Sequence, residues 1–313
     1  MSVYTPLSVA DLEPFLQGYA IGRPLRLEGI LLGVDNSNFF LDTEQGRFVL
    51  TLVEDAIQAR DMEHLLRLTT WLADRHIPAP RPLPDRHGQL LHQIQSRTAL
   101  LVTCLPGAHA LAPTPAHCTQ AGALLARIHL AGQDFPNPRP NPMGPPACRR
   151  LLERLQPVLA RDDPTTLDLL TTELTTLEES FFRLDLPGGV CHGDLFPDNV
   201  LFADLVPVGV IDFHYACLER WLYDLAIALT AWGFDANGNH LPDQFAALEQ
   251  GYQTVRPLTR EENLWKNAAS RAASIRFLLT RLRDQAFPRQ GQTITHKSPA
   301  PYLKRLQFFQ KSR

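Results

Sequence analysis

Val190-Cys191-His192-Gly193-Asp194-Leu195-Phe196-Pro197-Asp198-Asn199-Val200-Leu201-Phe202 sets the pattern H-x-D-x-x-x-x-N between two apolar segments. Thirteen residues after Asn199, a further apolar run, Val208-Gly209-Val210-Ile211, ends directly on Asp212. Short strands that bracket a polar loop, followed by a strand that delivers a carboxylate, suit phosphoryl transfer to a hydroxyl. One carboxylate accepts the acceptor's proton, while an amide oxygen and a second carboxylate hold the magnesium that neutralises the phosphates. On this reading Asp194 is the catalytic base, and Asn199 and Asp212 are the metal ligands. The same residues can also form a plain polar turn between core strands, with His192 and Asn199 satisfying backbone groups. The complete spacing, with a strand ending on Asp212, is far more specific than any lone dipeptide.

Upstream, the first hundred residues read as strands around one helix. Leu25 to Leu32, Asn38 to Asp42 and Arg47 to Val53 are rich in apolar and aromatic residues and are separated by the turn-like pieces Val34-Asp35-Asn36-Ser37 and Thr43-Glu44-Gln45-Gly46, as consecutive hairpins are. Between Asp55 and Arg75, Met62, Leu65, Leu66, Leu68, Trp71 and Leu72 recur at helical spacing. Pro78, Pro80, Pro82 and Pro84 stop that helix. Gln89 to Gln95 and Thr98 to Cys104 predict a last hairpin across Ser96-Arg97, giving a sheet of about five strands. After Pro106-Gly107 the chain becomes mostly helical, with predicted helices over 116–130, 148–160, 167–182, 223–232, 243–252 and 260–287. The proline-rich stretch Asp134 to Pro146 reads as a loop. The expected architecture is therefore α+β and two-lobed: an antiparallel-sheet N-terminal lobe over 1–103, and a helical lobe over 104–313 that carries the 190–212 loop.

Composition narrows the function classes. The chain has 313 residues, 44% hydrophobic and 20% charged, which is ordinary globular usage with enough apolar content for a sizeable core. No apolar run approaches the ~18 residues of a membrane helix. No basic residue precedes Arg23, and Asp11 and Glu13 fall where the apolar part of a signal peptide belongs, so a cytoplasmic location is expected. Lys+Arg 30 against Asp+Glu 33 leaves a formal charge of -3, with no basic stripe for nucleic acid. Five cysteines, Cys104, Cys118, Cys148, Cys191 and Cys217, lack a C-x-x-C and read as reduced packing thiols rather than disulfides or zinc ligands. Lysine occurs only at Lys266, Lys297, Lys304 and Lys311, so no mechanism can call on a lysine in the first 265 residues.

The motif and the order of elements resemble the protein-kinase-like superfamily, in its aminoglycoside and choline kinase branch, where H-G-D stands at this loop. More narrowly, Asn36-Ser37-Asn38-Phe39-Phe40, Phe48-Val49-Leu50-Thr51-Leu52, the loop Asp194 to Val200, Ile211 to Cys217, Tyr223 to Ile227, Gly251-Tyr252, Val255 to Leu258 and Ile275 to Leu282 are similar to the homoserine kinases. The resemblance is full length. It implies ATP and Mg2+ as cofactors, L-homoserine as the small-molecule acceptor, and a hinge at Thr103 to Leu105 beside the nucleotide. Two features depart from the wider kinase pattern. Thr51 stands where a third-strand lysine is expected, and the following helix offers Arg67 near the place of its partner glutamate. A hydroxyl supplies no charge, so the phosphates fall to magnesium, to backbone N–H groups and to Asn36, Ser37 and Asn38 in the first turn. Gly29 and Gly33 fall short of a G-x-G-x-x-G loop and suit hairpin flexibility as well as phosphate contact. His192 is a supporting residue of the loop. His129 reads as packing or as a hydrogen-bond partner behind the site. Asp224, at the start of an apolar helix, suits either a helix-terminal charge or, as the resemblance implies, support of the catalytic loop.

The acceptor side is read from charge. A hydroxy amino acid carries a carboxylate, whereas aminoglycosides are polycations. Arg271, Arg276, Arg281 and Arg283 face a single later acid, Asp284, which favours an anionic acceptor, although a solvated basic face gives the same pattern. Arg276, flanked by Ile275 and Phe277, is the candidate to point inward and hold the carboxylate. Other readings are a kinase for an aminoglycoside, choline or a sugar, and a nucleotide-binding pseudokinase that regulates a partner.

Overall fold

The computed structural model describes residues 5–30, 36–54, 59–288 and 297–311 in full, with the backbone of 56–58. The chain forms two compact units. The first draws on Met1–Pro106 and Gly209–His214, the second on Gly107–Val208, Tyr215–Arg289 and the C-terminal helix.

In the first unit, α1 (Val9–Leu16) precedes β1 (Pro24–Gly29), β2 (Ser37–Thr43), β3 (Gly46–Val53), α2 (Ala56–Ala73), β4 (His92–Ile94) and β5 (Arg97–Thr103). The strands form one antiparallel sheet in the order β1-β2-β3-β5-β4. Alternation along the strands splits the core in two. Phe39, Leu41, Leu50, Leu52, Ala99 and Leu101 pack with Leu12, Leu16 and Tyr19 of the α1 region. Val53 and Leu100 pack instead with Met62 and Leu66 of α2. The β4–β5 hairpin turns at Gln95 and Ser96, whose φ angles of 48° and 64° are the left-handed pair of a two-residue turn. That is one residue before the expected turn at Ser96-Arg97. Helix α1 has no counterpart in the sequence reading, and it carries Pro14 in its interior. A reciprocal cap between Ser8 and Asp11 starts it nonetheless. Residues 31–35, including Gly33 and parts of the expected first strand and first turn, lie outside the described residues, as does Asp55.

The second unit contains β6 (Ala108–His109), α3 (Pro115–Ala131), α4 (Pro145–Asp162), α5 (Pro164–Glu179), β7 (Gly188–Cys191), β8 (Val200–Ala203), β9 (Val206–Val210), β10 (Cys217–Arg220), α6 (Trp221–Trp232), α7 (Pro242–Val255), α8 (Arg260–Ala286) and α9 (Ala300–Lys311). Thr114, Asp163 and Thr259 cap α3, α5 and α8, their side-chain oxygens accepting first-turn N–H groups. Helix α6 is buried along its whole length. Its Leu222, Ala226 and Ile227 join Leu155, Leu174, Ala272, Ile275, Leu279, Tyr302 and Leu306 in the main core. The proline-rich stretch is ordered: Leu218 N–H donates to the Arg139 carbonyl (2.7 Å) and Arg139 Nε to that of Ala216 (2.8 Å). None of the five cysteines is in a disulfide, and burial pushes the thiols of Cys118 and Cys148 up to about 11 and that of Cys217 up to about 12. Among the described residues, no helix is long and apolar enough to cross a membrane.

Helices α3 and α7 meet backbone to backbone at Gly122 and Gly251. A Cβ on Gly251 lies 1.9 Å from the Thr119 carbonyl oxygen, and one on Gly122 lies 2.1 Å from that of Leu248. Only backbone surrounds these sites, so a methyl group has to push the helices apart. Gly251→Ala is expected to cost about 1–3 kcal/mol, read as a lowered urea midpoint at unchanged slope.

Candidate active site

Strand β7 enters the loop His192-Gly193-Asp194, and β10, paired antiparallel to it with Cys217 opposite Cys191, leads straight into α6. This brings the first turn of α6 under the loop. Asp224 there is fully buried. Its Oδ2 accepts the His192 N–H (2.7 Å) and its Oδ1 the Gly193 N–H (2.8 Å). His129 Nε2 on α3 adds a third bond at 3.0 Å. The sequence-based readings of Asp224 are a helix-terminal charge and support of the catalytic loop; its carboxylate accepts from the loop's backbone N–H groups.

The support continues behind His129. Its Nδ1 meets the Tyr252 hydroxyl at 2.8 Å, Arg256 donates to that hydroxyl at 3.2 Å, and Arg256 pairs with buried Glu262 at 2.8 Å. The His129 ring stacks on Trp221 at 5.6 Å, and the Arg256 guanidinium lies over the same indole at 4.7 Å. Burial pushes the His129 imidazole down despite the Asp224 bond. Burial alone raises the Asp224 carboxyl, but the His129 bond, the neighbouring histidines and the Gly193 N–H outweigh it and hold it below its ordinary value. The pair therefore consists of an Asp224 anion and a neutral His129 that donates from Nε2 and accepts at Nδ1. His129, Cys191 and Asp224 have donor atoms within 4.8 Å of one another, yet these hydrogen bonds account for the histidine and the carboxylate without an ion. None of Tyr252, Arg256 and Glu262 has a role assigned from the sequence: the first two fall in stretches similar to the homoserine kinases, and Glu262 in a predicted helix.

Asp194 is partly buried, and Asn199 follows it on a short 3-10 turn, Pro197–Asn199. Asn199 Nδ2 donates to the Asp194 carbonyl at 2.8 Å, which fixes the amide and leaves Oδ1 as a free oxygen donor. His192 Nδ1 accepts the Asp194 N–H at 3.2 Å. Gly193 has φ 75°, and a Cβ there lies 2.5 Å from the Tyr215 carbonyl oxygen, so this position admits only glycine. Arg276 is 2% exposed and donates from Nη1 to the Gly193 carbonyl, with its guanidinium over the Tyr215 ring at 4.8 Å. Arg271 pairs with buried Glu173. Arg281 lies over the Tyr302 ring at 4.4 Å.

The remaining candidates sit in the first unit. Asp212 follows β9, on a segment tied down by Val210 N–H donating to the Pro78 carbonyl (2.8 Å). It is exposed, has φ 64°, and makes no hydrogen bond or ion pair with the described residues. A left-handed aspartate is uncommon and costs backbone energy, which points to a functional constraint. The Asp212 carboxylate and the Asn199 amide oxygen, one in each unit, are each a hard donor of the kind a divalent ion accepts. Asn36 is 3% exposed, its Nδ2 3.0 Å from His214 Nε2 and its Oδ1 accepting the Glu54 N–H at 3.2 Å. Ser37 donates to Glu54 at 2.5 Å. Thr51 donates to Asn38 Oδ1 at 2.7 Å, directly across the β2–β3 register. All three polar side chains of the first turn thus have bonds within this unit. Thr103 is held to Arg81 by two bonds, N–H to its carbonyl (2.8 Å) and Oγ1 from its N–H (2.9 Å), while Leu105 follows β5 half-buried. Gly29 closes β1 opposite Phe39.

Residues 26–258 match the family described as the phosphotransferase enzyme family. The chain belongs to that family, in the branch of the homoserine kinases. It is 40% identical to a homoserine kinase of Xanthobacter autotrophicus over 99% of this chain and 96% of the other. It is 41% identical to one of Methylobacterium radiotolerans over 100% and 97%. Among solved structures, an amicoumacin kinase in complex with AMP-PNP, Ca2+ and amicoumacin superposes with a TM-score of 0.72 at 14% identity, covering 96% of this chain and 92% of that one. That likeness establishes a kinase-like fold, an antiparallel-sheet N-terminal region followed by a mostly helical remainder.

Asp224→Ala leaves two buried N–H groups and His129 without their acceptor, and is expected to cost about 3–5 kcal/mol in urea unfolding at pH 7. Asp224's folded pKa lies below its unfolded value near ~3.9. Its contribution is therefore complete above that pH and is lost as pH falls through the folded value. The variant should lack this acid-side loss of stability.

Proposed function

We propose that the protein is an ATP-dependent homoserine kinase, transferring the γ-phosphoryl group to the hydroxyl of L-homoserine to give O-phospho-L-homoserine for threonine biosynthesis. What carries the reading is the full-length identity of about 40% to homoserine kinases, joined to a loop that holds Asp194 and Asn199 in the spacing phosphoryl transfer needs. Asp194 takes the acceptor's hydroxyl proton. Asn199 and Asp212 hold Mg2+, which, when bound, neutralises phosphate charge. The nucleotide is assigned to residues 1–103, through the backbone of Asn36, Ser37 and Asn38 and the hinge at Thr103 and Leu105. The acceptor is assigned to 104–313. Thr51, which stands where the wider kinase pattern has a lysine, donates to Asn38 and supplies no charge to the phosphates. A pseudokinase lacks one or more of these three groups, and all three are present here. The free thiols support a reducing location, the cytoplasm.

Three measurements test this reading. Purified protein with MgATP should release ADP with L-homoserine, poorly with homoserinol, which lacks the carboxylate, and not above background with kanamycin or choline. Asp194→Asn should lose about 100- to 10,000-fold in turnover while still binding nucleotide; near-normal turnover would remove Asp194 from the role of base. For the metal, Asp212→Ala should weaken MgATP binding more than metal-free ATP binding, and equal losses in both titrations would make Asp212 structural.

A further inference from the structure

Gly193, the residue before the proposed base, is held on both sides, through the peptide group before it and the one after it. Its N–H donates to Asp224 at 2.8 Å, and its carbonyl accepts from Arg276 Nη1 of α8. Arg276 is unlike the other buried arginine of that helix. Arg271 is neutralised by an ion pair with Glu173 and donates to Asn267 at 3.2 Å. Arg276, at 2% exposure, forms no ion pair with the described residues, and its Nε has no hydrogen-bond partner. A buried cation without an ion pair is costly, and what faces it explains its retention. The Gly193 carbonyl dipole and the Tyr215 and Phe277 rings, at 4.8 and 4.7 Å, meet the guanidinium directly. Burial works against its charge, but Tyr223, Asp194 and Tyr215 more than offset this.

This places a fixed positive charge behind the catalytic loop, in contact with its backbone rather than with solvent. We propose that Arg276 is a positioning residue: by clamping the Gly193 carbonyl while Asp224 clamps the N–H, it fixes the direction in which Asp194 leaves the loop, in place of a direct contact with the acceptor's carboxylate. The proposal deepens the homoserine kinase reading and rests on it. Misplacing a reacting group by about 1 Å costs about 100-fold in rate, so freeing the carbonyl side of Gly193 should appear in turnover and not in acceptor affinity.

The test compares Arg276→Lys and Arg276→Met with wild type, using L-homoserine and homoserinol as acceptors. Nucleotide binding and thermal melting are recorded for each variant. A clamp predicts that kcat falls about 100-fold in the Met variant and less in the Lys variant, which keeps a donor and a charge. The homoserine KM should stay within about twofold, and homoserine and homoserinol should lose kcat/KM by the same factor. A selective loss for homoserine, with raised KM and a collapsed preference over homoserinol, overturns the proposal in favour of direct carboxylate contact; wild-type kcat in both variants also overturns it. If Arg276→Met fails to fold, the Lys variant carries the comparison through the same split between KM and kcat. Wild type inactive on homoserine refutes the functional reading instead. The clamp is then judged by slow ATP hydrolysis with water as acceptor, which should fall in the same order of variants and, if unchanged, refutes it.

Discussion

The buried carboxylate of Asp224 is the interaction on which the second unit's chemistry depends. Two consecutive backbone N–H groups, from His192 and Gly193, point at one side chain. Backbone donors cannot turn away as side chains can, so they fix the loop's direction along with its position. An anion with no water around it survives only with several donors. His129 is the third, and the chain of Tyr252, Arg256 and Glu262 behind it holds the imidazole neutral and correctly oriented. A loop supported in this way costs little reorganisation at the moment of reaction, which is the form of preorganisation a proton-accepting carboxylate needs.

The packing of the helices follows from that demand. His129 comes from α3 and Tyr252 from α7, and they meet because Gly122 and Gly251 let the two helix backbones approach to a separation no side chain permits. Helix α6 is buried on all sides, so Asp224 is shielded from water along with the groups it holds. Gly193 repeats the logic at the loop itself, where the Tyr215 carbonyl excludes any Cβ. Tight packing and polar support are here the same device: each buried polar group is held in place by apolar neighbours, and each close approach serves a hydrogen bond.

The first unit solves a different problem. A third-strand lysine is absent, and Thr51 is paired across the hairpin with Asn38. Asn36 and Ser37 are drawn into bonds with His214 and Glu54. Asn36, Ser37 and Asn38 are thereby held by neighbouring side chains, and in the proposed reaction phosphate charge falls to backbone N–H groups and to the metal ion. Asp212, exposed and in the left-handed region, shows the other sign of a functional constraint, a strained backbone kept with no bond to the described residues to reward it.

Local patterning determined a good deal from the sequence alone. Apolar and aromatic runs between turn-like pieces marked the strands of the first sheet, helical spacing marked α2 to α8 to within a few residues, and the H-x-D-x-x-x-x-N spacing with a strand ending on Asp212 marked the loop, because period and turn chemistry act over a handful of residues; β6 and β10 were not marked. The two terminal helices escaped. Both carry a proline, Pro14 and Pro301, and both owe their stability to surfaces elsewhere in the chain, which no short window contains. The same limit governs the site. That Asp224 spends its charge on backbone N–H groups, that His129 bridges it to Tyr252, and that Arg276 turns its guanidinium onto the Gly193 carbonyl are contacts between residues 31 to 123 positions apart. Residue type and spacing can name such groups as candidates. Only the tertiary structure decides their partners, because burial and hydrogen-bond direction are properties of the packed chain.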